Sequence, residues 1–192
     1  MNSPIRTFIA IKVPGHVRDV LSQVVQTLQK IEFINVRWVR TESIHLTLKF
    51  LGDINPKLVP QIGNAMVDSA RESSTFGLRL SNLGTFPTLS KPRVLWIGLQ
   101  GEIGALTKLQ LKTEGQLESI GFPRSKGRFN PHLTVGRVRS DLTSSQRIKL
   151  GEILKEPSPY VHWRVSELHL IQSTLTPAGA VHHKLSTVCL EG

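Results

Sequence analysis

Two hydrophobic periods alternate along the chain and predict a mixture of helices and strands. In four stretches apolar residues recur every three or four positions, which is the pattern of an amphipathic helix. The clearest stretch carries Val17, Leu21, Val24, Leu28 and Ile31. We predict the other three helices over residues 59–69, 103–120 and 141–154. Gly115 lies inside the third helix, where a glycine lowers stability without by itself ending the helix.

Between these helices, short runs either alternate apolar and polar residues or are apolar throughout, as β-strands are. The predicted strands span residues 8–13, 36–39, 44–51, 76–80, 93–99, 132–138, 161–173 and 182–190, the seventh with a break near Ser166. Gly84 to Pro87 has the composition of a turn or loop. Thr176 to Gly179 reads as a turn between the last two strands, which predicts an antiparallel hairpin.

One tetrapeptide occurs twice with the same pattern of side chains. His45-Leu46-Thr47-Leu48 lies in the third predicted strand, and His132-Leu133-Thr134-Val135 opens the sixth. Because successive side chains of a strand point to opposite faces, histidine and threonine share one face and the two aliphatic residues the other. A single copy is typical of a structural histidine at a sheet edge. Two matched copies favour a shared function.

The two copies also occupy equivalent places in the order of elements, after a helix and a loop and before a helix and strands. We interpret this order as a diverged internal duplication, not as a short-period repeat. No low-complexity linker divides the halves, so we expect residues 1–192 to form a single two-lobed domain. A pseudo-twofold axis between the lobes would turn His45 and His132 towards each other across a cleft.

The charge of the chain favours an anionic partner. Lysine and arginine outnumber aspartate and glutamate by 24 to 14, giving a net charge of +10 over 192 residues. Such an excess attracts polyanions through counterion release and steering, although a merely basic surface has the same composition. The one cysteine, Cys189, excludes an intrachain disulfide. The first residues do not resemble a signal peptide and no apolar run reaches the length of a membrane span, so we expect a cytoplasmic protein.

Two facing histidines can perform general acid–base catalysis. A neutral imidazole accepts a proton and a protonated one donates it, because the ordinary pKa of histidine is about 6.5. Across a phosphodiester, one histidine can activate the nucleophile while the other protonates the leaving oxygen in line. The Thr47 and Thr134 hydroxyls are placed to donate hydrogen bonds to the non-bridging oxygens. The near-equivalence of the motifs leaves open which histidine is the acid.

Arg137 is a further candidate for holding the phosphate, on one geometric condition. It lies five residues beyond His132, so in a straight strand its side chain points to the other face. A bulge or a strand end near Gly136 would bring it back, because glycine within a strand often marks a bulge. The alternative is a solvated arginine.

Metal binding and base stacking are weaker alternatives in this sequence. The remaining histidines lack the spacing of a helical zinc motif, and no carboxylate cluster accompanies the repeat, so we expect no metal cofactor. We expect the aromatic residues around the motifs to lie in the core, with Trp38 or Phe86 as the alternative candidates for stacking on a base. The aromatic residues are Trp38, Phe50, Phe86 and Trp96.

The residues around the repeat resemble the two-histidine phosphoesterase superfamily, and within it the RNA 2',3'-cyclic phosphodiesterases formerly called 2'-5' RNA ligases. Besides the two His-x-Thr-x motifs, similar segments are spread over nearly the whole chain. They are Trp38 to Arg40, Lys49 to Gly52, Pro92 to Gly98, Phe129 to Thr134, Gly136-Arg137 and Ser173-x-Leu175-x-Pro177-x-Gly179.

This resemblance implies a two-lobed α+β fold, with antiparallel sheets lining a central cleft and helices outside. It also implies metal-independent hydrolysis of an RNA 2',3'-cyclic phosphate to a 2'-phosphomonoester, with RNA as the partner and no cofactor. Carried to this chain, His45 is the proton donor to the departing 3'-oxygen and His132 the proton acceptor that activates water. Thr47, Thr134 and Arg137 then hold the phosphate. The chain departs from the family pattern at His182, where many members have a tyrosine.

Two other functions fit the same residues. Reversible 2'-5' RNA ligation uses the same two-histidine chemistry between RNA ends, although water favours hydrolysis unless a bound 5'-hydroxyl displaces it. A non-catalytic RNA-binding module with structural histidines would explain the basic charge equally well. Intact histidine and threonine in both copies favour the hydrolase, and we expect it to act as a monomer without a membrane partner.

Overall fold

The computed structural model describes residues 3–29, 35–71, 73–157, 159–177 and 179–191. Within them the chain forms nine β-strands and four α-helices, with 3-10 turns at Thr41–Ser43 and Pro56–Leu58. The elements are β1 (Ile5–Lys12), α1 (Gly15–Gln29), β2 (Val36–Trp38), β3 (His45–Ile54), α2 (Val59–Ala70), β4 (Phe76–Pro87), β5 (Pro92–Gly101), α3 (Ile103–Ser119), β6 (His132–Val138), α4 (Ser144–Ile153), β7 (His162–Val165), β8 (Glu167–Thr176) and β9 (Gly179–Cys189).

These nine strands form one antiparallel sheet in the order β7-β4-β5-β6-β3-β1-β8-β9, with β2 pairing to the far end of β6. The two strands that carry the repeat, β3 and β6, are central neighbours. The two halves exchange strands: β4 of the first half pairs with β5 of the second, and β8 of the second half pairs with β1 of the first. Because of this exchange, the halves are not divided by a linker. The predicted α+β fold with antiparallel strands around a central groove is confirmed.

The strand pairing repeats in register about the centre of the sheet. Leu46 opposite Leu133 is the pair that joins β3 to β6. The equivalent pairs on the two sides are Lys12–His45, Ala10–Thr47 and Phe8–Phe50 between β1 and β3, and Gly98–His132, Trp96–Thr134 and Val94–Arg137 between β5 and β6. In each half the residue directly after the threonine has no counterpart on the flanking strand, Leu48 in β3 and Val135 in β6. The matched bulges support an internal duplication.

The aliphatic face of both repeats lies in the core, as the period-two pattern predicts. Leu46, Leu48, Leu133 and Val135 belong to one buried cluster that also takes residues from α1, α2 and α3. On α1 the buried residues are Val17, Leu21, Val25 and Leu28, so Val25 replaces the predicted Val24 in the core. The predicted position Ile31 lies outside the described residues. None of the helices in the described ranges is both long and apolar enough to cross a membrane.

The predicted loop at Gly84 to Pro87 is wrong, because these residues continue strand β4. Gly84 is needed there for contact with a side chain: a Cβ at this position would lie 2.3 Å from the indole ring of Trp96. Pro87, which lacks an N–H, stands at the end of the strand. Gly84 and Pro87 are residue types that signal a turn in a sequence, but here they serve side-chain contact and the end of a strand.

The other predicted elements have the right type and differ mainly at their ends. Strand β6 spans His132–Val138 as predicted, and α3 continues through Gly115. Helix α4 begins at Ser144, three residues after the predicted start, because Thr143 and Gln146 form a reciprocal capping box. The last hairpin also forms, with Thr176 opposite Gly179, while residue 178 of its turn lies outside the described residues.

A buried ion pair connects the first repeat strand to the segment before the second. Lys49 of β3 donates to Glu114 of α3 over 2.6 Å, and both side chains are only 4% exposed. Lys49 also donates to the carbonyl of Pro123, while the N–H of Ser125 donates to Glu114. Burial alone would raise the pKa of Glu114, but the hydrogen bonds from Lys49 and Ser125 outweigh it and hold that pKa below its ordinary value.

We predict that Lys49→Met destabilises the protein by about 3–5 kcal/mol, because Glu114 is then left as a buried charge without its cation. Urea unfolding measures the change in the free energy of unfolding. The double variant Lys49→Met/Glu114→Leu should lose less than Lys49→Met, since no charge is left buried. A single variant within about 1 kcal/mol of the parent, or a double variant that loses more than the single one, would contradict this account.

Candidate active site

A groove of about 480 Å³ lies over the centre of the sheet, on the face that the repeats present away from the core. Both histidines and both threonines of the repeats line it, and so does Arg137. The structure therefore brings all five predicted site residues to one groove. They are His45, Thr47, His132, Thr134 and Arg137.

The two histidines are held by matching hydrogen bonds. Nδ1 of His45 lies 2.7 Å from the carbonyl oxygen of Ser43, and Nδ1 of His132 lies 2.7 Å from the carbonyl oxygen of Asn130. A carbonyl oxygen only accepts, so in each ring Nδ1 carries the proton. In the neutral form Nε2 is then the proton acceptor of both histidines. Each imidazole is thus oriented by the backbone two residues before it.

The antiparallel pairing also interleaves the two motifs. With Leu46 opposite Leu133, the position across from His45 is that of Thr134, and the position across from His132 is that of Thr47. Each histidine therefore has the threonine of the other motif as its cross-strand neighbour. Two imidazoles and two hydroxyls therefore lie on adjacent strands along one groove.

Arg137 reaches the groove because of the bulge at Val135. The extra residue shifts the alternation of β6 by one position, so that Arg137 returns to the face of His132 and Thr134. This bulge is next to Gly136, near which a bulge or strand end was predicted. Gly136 itself lies against β2, where a Cβ would come within 2.6 Å of Val36 and 3.1 Å of the Trp38 ring.

The environments of the two histidines differ. The His45 ring stacks on Phe8 at 4.5 Å between centroids, whereas the His132 ring meets the edge of Phe86 at 5.0 Å. Burial lowers the pKa of His45 to about 4, and nearby positive groups act in the same direction against the hydrogen bond to Ser43. At neutral pH the free protein therefore holds His45 as the neutral imidazole.

His182 brings a third imidazole into the groove. Its ring meets the edge of the His45 ring at 5.1 Å and of the Phe8 ring at 5.2 Å. Burial lowers the pKa of His182, and the guanidinium of Arg40 and the ammonium of Lys12 lower it further. Arg40 contacts the strand that carries His182, because its Nη2 donates to the carbonyl oxygen of Ala180 over 3.0 Å. His182 therefore lines the same groove as His45 and His132.

Three groove arginines were missed by the sequence reasoning, namely Arg6, Arg37 and Arg40. Arg37 of β2 lies directly opposite Arg137 of β6, a pairing of like charges that destabilises a sheet unless an anion balances it. Among the described residues that line the groove there is no aspartate or glutamate. The described lining therefore gives the groove a positive charge, which favours an anion. Local periodicity could not reveal Arg37, because its position depends on the pairing of β2 with β6.

The aromatic residues are less buried than predicted. Phe50 is 64% exposed and lines the groove, so its predicted place in the core is wrong. The bulge at Leu48 is the cause, since it moves Phe50 to the face of His45 and Thr47. Trp38, Phe86 and Trp96 are half-buried. In the described part of the chain, no three histidine, cysteine, aspartate or glutamate side chains group as a metal site.

Comparison with known proteins identifies the family. Residues 11–96 match the family model described as LigT-like phosphoesterase. An RNA 2',3'-cyclic phosphodiesterase of Methanothermobacter thermautotrophicus is 33% identical over 180 residues, covering 93% of this chain and 95% of the relative. The chain belongs to the LigT-like phosphoesterase family. A Thermotoga maritima relative with the same name is 32% identical over 187 residues, covering 97% and 96%. The resemblance drawn from the sequence is confirmed.

Several solved structures share the fold. TT0787 of Thermus thermophilus superposes with a TM-score of 0.81 at 26% identity, covering 97% of this chain and 98% of its own. Escherichia coli LigT in its apo form gives a TM-score of 0.78 at 23% identity, with full coverage of both chains. A second structure of E. coli LigT, complexed with 3'-AMP, gives a TM-score of 0.76 at 22% identity with full coverage of both chains.

We predict that His45 makes the protein less stable in acid. Its pKa of about 4 in the folded state lies below the ordinary value of 6.5, so the unfolded chain binds more protons between these limits. The free energy of unfolding should therefore fall as the pH is lowered through this window, by up to about 3 kcal/mol from this one group. In His45→Asn the amide can keep the hydrogen bond to Ser43 but does not titrate.

Urea unfolding at pH 7 and pH 4 measures this contribution. Acidification should cost His45→Asn less free energy of unfolding than it costs the parent protein. The exposed His183 provides a matched control, because His183→Asn removes an imidazole outside the groove lining. Equal losses for the parent and His45→Asn would show that His45 is not held in its neutral form.

Proposed function

We propose that the protein hydrolyses the 2',3'-cyclic phosphate at an RNA end to a 2'-phosphomonoester, with His45 and His132 as the acid–base pair and without a metal. The observation that carries this proposal is the pair of equivalently hydrogen-bonded imidazoles on one arginine-lined groove. Membership of the family supports the reaction class, and the names of the relatives support the substrate.

In this mechanism His132 accepts a proton from water at Nε2, and the water oxygen forms a bond to phosphorus. The bond from phosphorus to the 3'-oxygen breaks, and protonated His45 donates its Nε2 proton to that oxygen. The products are a 2'-phosphomonoester and a 3'-hydroxyl. This assignment of donor and acceptor rests on the family resemblance, since the geometry of the two motifs is nearly symmetrical.

Binding of the substrate would favour the protonated form of His45, which a proton donor requires. In the free protein burial keeps the pKa of His45 at about 4, so its protonated form is scarce at neutral pH. A cyclic phosphate anion bound between the two motifs favours the charged imidazolium and therefore raises this pKa. The proton donor thus forms when the substrate is in place.

The threonines and Arg137 complete the site by holding the phosphate. The Thr47 and Thr134 hydroxyls donate to the non-bridging oxygens, and Arg137 neutralises their charge. Charge that spreads over these oxygens during phosphoryl transfer is then stabilised by groups already in position.

RNA is the substrate class that the groove favours. Four arginines line the groove without a carboxylate among the described residues, and the chain carries a net charge of +10. E. coli LigT, which shares the fold, has been crystallised with 3'-AMP.

All the site residues come from one chain, so we infer that a monomer is sufficient. We also place its activity in the cytoplasm.

Incubating purified protein with a short RNA that ends in a 2',3'-cyclic phosphate, with and without EDTA, tests the proposal. We predict a 2'-phosphomonoester product, identified by chromatography against 2'- and 3'-phosphate standards, at the same rate with the chelator. Loss of activity with EDTA would overturn the metal-free mechanism. Tight binding without turnover would favour the RNA-binding module, and a joined product in the presence of an RNA with a 5'-hydroxyl would favour ligation.

A further inference from the structure

We propose that Lys49, through its ion pair with Glu114, is a positioning residue for His132. The pair holds the segment before the second histidine strand, and the Asn130 carbonyl in this segment orients the His132 ring. The inference rests on the proposed function only for the catalytic role of His132, because the orientation of the ring can be measured without a substrate.

The segment that precedes the first histidine is fixed by backbone pairing to the strand of the other motif. Strand β2 leads to His45 and pairs with β6, where Trp38 lies opposite Gly136. The missing side chain of Gly136 allows this approach, since a Cβ there would lie 3.1 Å from the Trp38 ring. The N–H of Val39 extends the pairing by donating to the carbonyl of Val135 over 2.9 Å. A β-ladder therefore holds the segment before His45.

The segment before the second histidine is held by side chains instead. Counted from the histidines, the positions equivalent to Trp38 and Gly136 are Ser125 and Lys49. Ser125 belongs to the described part of the chain and forms no strand with β3. Nζ of Lys49 lies 3.4 Å from the Ser125 hydroxyl, so the two equivalent positions do meet. The duplication is kept here without its backbone pairing.

The Lys49–Glu114 pair supplies the bonds that the missing ladder would make. Nζ of Lys49 donates to the carbonyl of Pro123 over 2.5 Å and to Oε2 of Glu114 over 2.6 Å. The same oxygen of Glu114 accepts from the backbone N–H of Ser125 over 3.0 Å. One carbonyl and one N–H of the segment are thus bound by the pair. In this half an ion pair holds what a β-ladder holds in the other.

The bulge at Leu48 explains why Lys49 is buried. It turns Phe50 to the groove and Lys49 to the core, where the lysine side chain is 4% exposed. A buried ion pair gives little net stability over apolar residues of similar volume, because removing two charges from water is costly. It does fix distances and directions, since each charge requires its hydrogen-bond partners. The geometry imposed on the segment is therefore the main consequence of the pair.

The segment transmits this geometry to the His132 ring. It is fixed near its start by the pair at Ser125 and near its end by Phe129, which packs against the core. The next residue is Asn130, whose carbonyl oxygen accepts from Nδ1 of His132 over 2.7 Å. This hydrogen bond keeps the proton on Nδ1 and leaves Nε2 as the acceptor. Release of the segment should therefore release the tautomer of His132.

NMR of protein with ¹⁵N-labelled histidines tests the proposal, because it shows which ring nitrogen carries the proton. At about pH 8 an imidazole of ordinary pKa is neutral. The variant is Lys49→Met/Glu114→Leu, which removes the pair without leaving a buried charge. We expect His132 to change from the Nδ1–H form to a mixture of both tautomers, while His45 keeps its proton on Nδ1. Spectra of His45→Asn and His132→Asn assign the two rings.

Thr113→Ala is the matched control. Thr113 is a buried neighbour of Glu114 on α3, and its hydroxyl donates to the carbonyl of Leu109 in the same helix. This variant weakens the same helix but keeps the pair, so both rings should keep their tautomers. An unchanged His132 ring in the double variant would overturn the proposal. Equal changes in both rings would overturn it as well, since the loss would then be a general loosening of the site.

Turnover of an RNA that ends in a 2',3'-cyclic phosphate gives the catalytic consequence. The double variant should lose roughly 10- to 100-fold in kcat, the effect of a displaced catalytic group. Its KM should stay within about twofold of the parent value, because Thr47, Thr134 and Arg137 still hold the phosphate. A loss in KM alone, or no loss, would contradict a positioning role. Thermal unfolding checks that each variant is folded.

The two measurements separate failure of this inference from failure of the proposed function. If the parent protein turns over no cyclic phosphate, the hydrolase proposal fails. The NMR comparison then still decides whether Lys49 positions His132, because it uses the protein without RNA.

Discussion

The antiparallel contact of Leu46 with Leu133 is the constraint on which the groove depends. It places two nearly identical strands side by side about a local twofold axis, so that each histidine lies across from the threonine of the other motif. The aliphatic neighbours of these residues are buried in one core cluster, which fixes both strands against the helices. The backbone carbonyls of Ser43 and Asn130 then fix both imidazoles in the same tautomer. The equivalent backbones of the two strands therefore give the two histidines equivalent hydrogen bonds and the same tautomer.

The proposed mechanism gives the two histidines different roles, one as acid and one as base, although their motifs are nearly identical. The difference comes from residues that flank the repeat. His45 is stacked on Phe8 beside His182 and has its pKa lowered by burial, whereas His132 packs against the edge of Phe86. The equivalent bulges carry Phe50 on one side and Arg137 on the other. The same duplicated frame therefore holds two histidines in unlike surroundings.

Much of the site could be predicted from the sequence, because period-two alternation is local. It placed His45 with Thr47 and His132 with Thr134, and Gly136 drew attention to the bulge that Arg137 needs. The first bulge carries no such signal, since Leu48 is an ordinary apolar residue, and the exposed position of Phe50 could not be predicted without it. Arg37 depends on the pairing of β2 with β6, which no local pattern encodes. Glycine and proline at Gly84 to Pro87 were misread because glycine serves contact with Trp96 as well as turns.

The central claim is that His45 and His132 act as one unit on one phosphate. The most direct test compares turnover of a cyclic phosphate-ended RNA by His45→Ala, His132→Ala and the double variant. If each histidine depends on the other, each single variant loses most of the activity, and the double variant is no more than about threefold below the weaker single. Losses that multiply in the double variant would show independent contributions. A single variant with near-normal turnover would contradict the account outright.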